Sequence, residues 1–162
     1  MASMKLFLLL TTGALLIEVS EFASSTPNWV YHSSGWYAFI NEPMNWNDAE
    51  VYCQNLIPGA HLASFHNIAA EKFAQDLVYK TVRAYPFTWI GGNDQFKNRN
   101  FMWSDGSEWN YENWAIGEPN NFNGRREACF QFLFGANKQW NDEPCSGSFP
   151  FICKAPKSDC CS

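Results

Sequence analysis

Six cysteines (Cys53, Cys129, Cys145, Cys153, Cys160 and Cys161) constrain this chain more than any other feature, because what precedes them decides their chemistry. Lys5 leads into the apolar run Leu6 to Ile17, and the small residues Ala23, Ser24 and Ser25 follow, the layout of a secretory signal peptide. The run of twelve residues falls short of the roughly 20 needed to cross a bilayer, so residues 1–25 read as a signal cleaved between 18 and 25. Export places the thiols in an oxidising compartment, where disulfides are the expected state. The four cysteines outside the tail allow three pairings, and spacing does not choose among them.

The 162 residues suffice for one domain with a sizeable core and are awkward for two. No later window is apolar enough to span a membrane, so the expectation is a secreted, extracellular protein without a membrane partner. Without residues 1–25, ten basic and fourteen acidic residues remain, a formal net charge of −4 that argues against nucleic acid or an anionic membrane as partner. No Asn-X-Ser/Thr acceptor occurs, so any sugar this chain meets belongs to something else.

Aromatic and β-branched residues from Trp29 to Ile40, broken at Ser33, Ser34 and Gly35, predict two strands joined by a turn. Asn45 or Asn47 caps a helix over Asp48 to Leu56 that ends before Pro58 and Gly59, and a second amphipathic helix covers Asn67 to Val82. Beyond Phe87 the pattern changes to short apolar runs (Trp89 to Ile90, Phe101 to Trp103, Cys129 to Phe134, Phe149 to Cys153) between Gly-, Asn- and Asp-rich stretches. The stretch from Asp105 to Arg126, with five Asn and no apolar periodicity, is too long for an ordinary connection, and long loops of this kind are usually functional.

Oxygen-bearing side chains concentrate in the C-terminal third: Glu118, Asn120, Asn121, Asn123, Glu127, Asn141, Asp142 and Glu143. Calcium takes six to eight oxygen ligands, and Glu118, Asn120, Glu127, Asn141 and Asp142 would supply three carboxylates and two amide oxygens. A solvated polar loop has the same composition, so composition alone does not choose between them. Pro119 lies between two of these residues, and the isomer of the Glu118–Pro119 bond is open at this level. His32, His61 and His66 lack a zinc-ligand spacing, and there is no nucleophile elbow and no cysteine set apart as a free thiol, so an enzyme is not expected.

Trp46, Ala49 and Cys53, then Trp89-Ile90-Gly91-Gly92, Trp103-Ser104-Asp105-Gly106, Glu118-Pro119-Asn120, Trp140-Asn141-Asp142 and Cys153, with Cys129 and Cys145 bracketing the last loop, resemble a C-type lectin domain over about residues 27–155. The resemblance implies an α+β fold: two helices, two small antiparallel sheets and a long loop region, within a lectin domain over 26–155. It also implies the pairs Cys53–Cys153 and Cys129–Cys145, closing loops of 100 and 16 residues, for which chain entropy gives about 4.7 and about 3 kcal/mol. It assigns Glu118, Asn120, Glu127, Asn141 and Asp142 to one Ca2+ that also takes two vicinal sugar hydroxyls. Glu-Pro-Asn at 118–120 is the pattern for equatorial 3- and 4-hydroxyls, hence mannose, fucose and N-acetylglucosamine. Trp109, Tyr111, Trp114 and Phe122 are candidates to stack on a sugar, Phe122 foremost.

The chain departs from the family pattern in four places. One extra residue lies between Asn120 and Glu127, which puts the position of Glu127 in question. An auxiliary calcium site would need acids near Asp94, Asn98, Asn121 and Ala128, and only Asp94 is one, so that site is expected to be weak or absent. Ser25 or Thr26 and Trp36 stand where longer members bridge the N-terminal hairpin. In the tail 156–162, Cys160 and Cys161 can pair with each other, join one second chain, or bond one each to two chains; intermolecular pairing is favoured, giving a disulfide-linked homodimer or oligomer whose avidity on microbial or egg-coat glycans offsets weak single-site affinity. Two other functions share the fold: a protein-binding module, and an ice-binding protein, for which Thr26, Thr81 and Thr88 offer few ordered hydroxyls after residue 25.

Overall fold

A computed structural model describes residues 26–157. The signal segment 1–25, the position Ser25, and Cys160 and Cys161 lie outside the described residues. The N-terminal hairpin forms as the aromatic pattern predicts, from β1 (Val30–His32) and β2 (Gly35–Met44), although β2 runs four residues past Ile40. Helix α1 (Trp46–Leu56) is capped by Asn45, whose side-chain oxygen accepts the Asp48 N–H at 3.0 Å, so it starts two residues earlier than the sequence pattern suggests. Helix α2 (Ile68–Val82) has Asn67 as its cap, bonded to the Ala70 N–H at 2.9 Å, and ends at Arg83 in the left-handed region. Both caps satisfy a backbone donor that a helix start leaves free.

The remaining strands are β3 (His61–Leu62), β4 (Thr88–Asn93), β5 (Met102–Trp103), β6 (Cys129–Phe134), β7 (Gln139–Glu143) and β8 (Phe149–Ala155). They run in the order β1-β2-β8-β4-β6-β7, with β3 on β8 and β5 on β4. Neighbours are antiparallel except β4 and β8, which meet in parallel at a single pair, Trp89 and Phe151. The two expected antiparallel halves are therefore present, one around β2 and β8 and one around β4, β6 and β7, joined there into one hydrogen-bonded sheet.

Two apolar clusters fill the spaces under the helices. One packs Phe65, Val78, Ile90, Phe130, Phe132 and Trp140; the other packs Trp46, Cys53, Leu62, Trp89, Phe151 and Cys153. Gly91 and Gly92 belong to this packing by having no side chain: a Cβ on Gly91 would stand 2.6 Å from the Leu62 carbonyl oxygen, and one on Gly92 would overlap the Phe130 ring. Disulfides join Cys53 to Cys153, tying α1 to β8, and Cys129 to Cys145, tying β6 to the turn after β7. Among the described residues no helix is long and apolar enough to cross a membrane.

Candidate functional site

Strand β7 positions the site. Its residues Asn141 and Asp142 pair with Gln131 and Phe130 of β6, which begins two residues after Glu127. Burial of Trp140 and the ladder to β6 thus fix two polar side chains at a strand edge where the long loop arrives. Asp142, only 1% exposed, receives that loop: its Oδ1 accepts the Asn120 N–H at 2.8 Å and its Oδ2 accepts the Asn121 N–H at 2.9 Å. The Glu118–Pro119 bond, left open by the sequence, is cis.

The loop then turns through a single 3₁₀ turn, Phe122–Gly124, and closes on itself. Glu127 Oε2 accepts the Phe122 N–H at 2.7 Å, while the Glu127 N–H donates to the Asn121 side-chain oxygen at 2.9 Å. The turn holds Asn121 and Asn123 in the left-handed region, which asparagine tolerates better than most residues. Glu127 lines the same cleft as Glu118, Asn120 and Asn141, an open space of about 460 Å³ whose lining does not include Asp142.

The electrostatics of this cleft are unfavourable without a cation. Desolvation, then the neighbouring charges of Asp142 and Glu127, push the Glu118 carboxyl up to about 7, and one of its oxygens is buried with no hydrogen-bond partner. Glu127 is raised by desolvation and by Asp142, against the lowering effect of the Phe122 amide, and Glu143 is raised by desolvation and by Glu127 and Asp142. Three carboxylates, an orphaned carboxylate oxygen and two amide side chains fit a hard, oxygen-seeking divalent cation. Among the described residues no group of three or more His, Cys, Asp or Glu is arranged to hold a metal ion, and Asp142 and Glu127 each already accept from backbone amides of the loop.

The aromatic candidates separate cleanly. Phe122 is 63% exposed and lines the cleft. Trp109, Tyr111 and Trp114 instead lie against the core, with ring centroids 5.8, 5.6 and 5.7 Å from that of Trp140, so they brace the loop rather than face a ligand. Arg125, Phe134, Glu143 and Pro144 also line the cleft. None of these four belongs to the ligand set that the family resemblance implies, although the acidic Glu143, one residue past Asp142, is a usable signal in the sequence.

Helix α2 contributes what its amphipathic pattern hid. Glu71 is fully buried and accepts from Tyr111 Oη at 2.8 Å, Asn113 Nδ2 at 2.9 Å and Gln75 Nε2 at 3.3 Å, which fastens the first half of the long loop to the helix. Burial raises its carboxyl pKa, while those donors hold it down.

Fold and site together define a disulfide-bridged α+β binding domain whose acidic loop lies at the end of a sheet. The C-type lectin domain matches residues 42–155. A lectin of Pleurodeles waltl is 46% identical over 129 residues, covering 80% of this chain and 74% of that one. A C-type lectin mannose-binding isoform of Oxyuranus scutellatus is 34% identical over 152 residues, covering 91% and 96%. The herring type II antifreeze protein superposes with a TM-score of 0.70 at 30% identity, covering 79% of this chain and 95% of that one. The chain belongs to the C-type lectin family.

Proposed function

We propose that this protein is a secreted, calcium-dependent lectin that binds mannose, fucose or N-acetylglucosamine through Glu118, Asn120, Glu127, Asn141 and Asp142. The observation that carries the reading is the buried, unpartnered Glu118 carboxylate oxygen in a cleft it shares with Glu127, Asn120 and Asn141. In this reading residues 1–25 direct export, 26–155 form the lectin domain, and Cys160 and Cys161 join chains into a multivalent array.

Bound calcium would supply a charge that offsets the three carboxylates and open coordination positions for two vicinal hydroxyls. The protein's own part is hydrogen bonding. The carboxylates of Glu118 and Glu127 accept from sugar hydroxyls while the amide nitrogens of Asn120 and Asn141 donate, so the order of acid and amide selects hydroxyl stereochemistry. Phe122, exposed on the rim, offers a ring for the apolar face of the sugar. Such a shallow contact gives affinity on the order of millimolar, and linked chains raise it roughly 10²- to 10⁴-fold on a repeating surface.

The herring antifreeze likeness favours ice binding as the second reading. Of its candidate hydroxyls, Thr88 is fully buried and bonded to the Pro86 carbonyl, and the Thr81 hydroxyl donates back to the Leu77 carbonyl, so Thr81 and Thr88 do not make an ordered array of hydroxyls on one flat face. Replacing Glu118→Gln together with Asn120→Asp tests the lectin reading. Retention should move from immobilised mannose toward galactose, and an unchanged preference sinks the assignment of both residues.

A further inference from the structure

Arg126 stands outside the ligand set, yet it joins two loops. Its Nη1 lies 2.8 Å from Asp94 Oδ1, an ion pair off the hydrogen-bond axis, and its Nη2 donates to the Asp94 carbonyl oxygen at 2.5 Å. Nη1 also reaches Asn98 Oδ1 at 3.3 Å, an oxygen that accepts from Asn121 Nδ2 at 3.4 Å as well. Asp94 is 2% exposed, and its second oxygen accepts the Arg99 N–H at 2.6 Å. A buried carboxylate of this kind demands a counter-charge, and removing the partner leaves an uncompensated ion.

The oxygens gathered around the guanidinium come from Asp94 and Asn98, and Asn98 in turn accepts from the Asn121 side-chain amide; Asp94, Asn98 and Asn121 are three of the positions at which an auxiliary calcium site would need acids. We infer that Arg126 is a built-in cation that occupies this second position and holds the 118–127 loop in its binding shape before any calcium arrives. A guanidinium suits the task because it is permanently charged and reaches several oxygens from one plane. Its place in the chain gives it leverage. Arg126 precedes Glu127 and Asn121 follows Asn120, so fixing the first directly and the second through Asn98 restrains the backbone beside two proposed calcium ligands. Arg126 is thus a positioning residue, and one calcium per chain, not two, is the expected stoichiometry.

The second consequence, for calcium affinity, rests on the lectin reading above; the first, for loop order, does not. The test uses the full disulfide-bonded chain and its R126A, R126K and R126A/N98D variants. Amide hydrogen exchange in chelator should show residues 118–127 protected in the parent and at least about tenfold less protected in R126A, with R126K intermediate, while β6 and β8 amides serve as the control for intact fold. Calorimetry should show calcium binding weakened by roughly tenfold in R126A, the cost of a less populated competent loop. In R126A/N98D, calcium should restore loop protection and the stoichiometry should rise from one to two. Unchanged loop exchange in R126A overturns the inference, and failure of calcium to restore protection in the double variant overturns the equivalence of guanidinium and metal. If the parent binds no calcium, the lectin reading fails while the chelator exchange still decides the role of Arg126.

Discussion

The two halves of the long loop are held by different forces. Residues 105–114 are fastened by aromatic burial and by hydrogen bonds to Glu71, with Trp109, Tyr111 and Trp114 packed around Trp140. Residues 118–127 bury little apolar surface: Phe122 is exposed, and the segment is held by Asp142, Glu127 and Arg126 through polar contacts. Apolar packing is indifferent to metal, whereas clustered carboxylates repel one another until a cation offsets their charge, so a loop already shaped by Arg126 can still gain order from a bound cation. The first half is a base anchored in the core, and the second is the part whose order the proposed calcium would change.

The largest effect should come from breaking the base. Trp109→Ala removes a ring that contacts Trp103, Phe101 and Trp140, and unfolding in urea should show a loss of about 3 kcal/mol. Next comes Asp142→Asn, which removes a charge from the proposed calcium set and one acceptor for the Asn120 and Asn121 amides. Calorimetry should find calcium binding weakened by about 100-fold, while stability in chelator moves by under about 1 kcal/mol because relief of repulsion with Glu118 offsets the lost bond.

Calcium itself sharpens the comparison. At one hundred times its Kd it should add about 2.7 kcal/mol of unfolding stability, with new exchange protection confined to 118–127 and absent from 105–114. The smallest effect is that of pH on the base. Burial raises the Glu71 pKa in the folded state, so its contribution is fully present below the ordinary carboxylate value and is lost as pH rises through the raised one. Stability of Glu71→Gln relative to the parent should therefore improve as pH climbs through that window, which denaturant melts at a series of pH values would show.

Much of this was legible in the residues, for physical reasons that differ by element. The helices follow from Asn45, Asn67 and their apolar periodicity, and the strands carrying Cys129 to Phe134 and Phe149 to Cys153 follow from dense apolar runs. Strand β7 was not legible as a strand, because Gln139-Trp140-Asn141-Asp142-Glu143 reads as a polar loop; its pairing to β6 and the burial of Trp140 override local preference. The role of Glu71 was hidden for a similar reason. A glutamate on an amphipathic helix normally faces water, and only the return of Tyr111 and Asn113 some 40 residues later gives it partners. The family resemblance assigns five oxygen-bearing residues to one site but says nothing of the Arg126 contact, since nothing in spacing predicts which cation a distant Asp94 will meet.

Retention of the refolded chain on immobilised mannose, loaded with calcium and then washed with a chelator, tests the central claim most directly. The account predicts retention in calcium, prompt elution by chelator, and loss of both in Asp142→Asn. Retention that survives the chelator, or no retention on mannose, fucose or N-acetylglucosamine at saturating calcium, would contradict it.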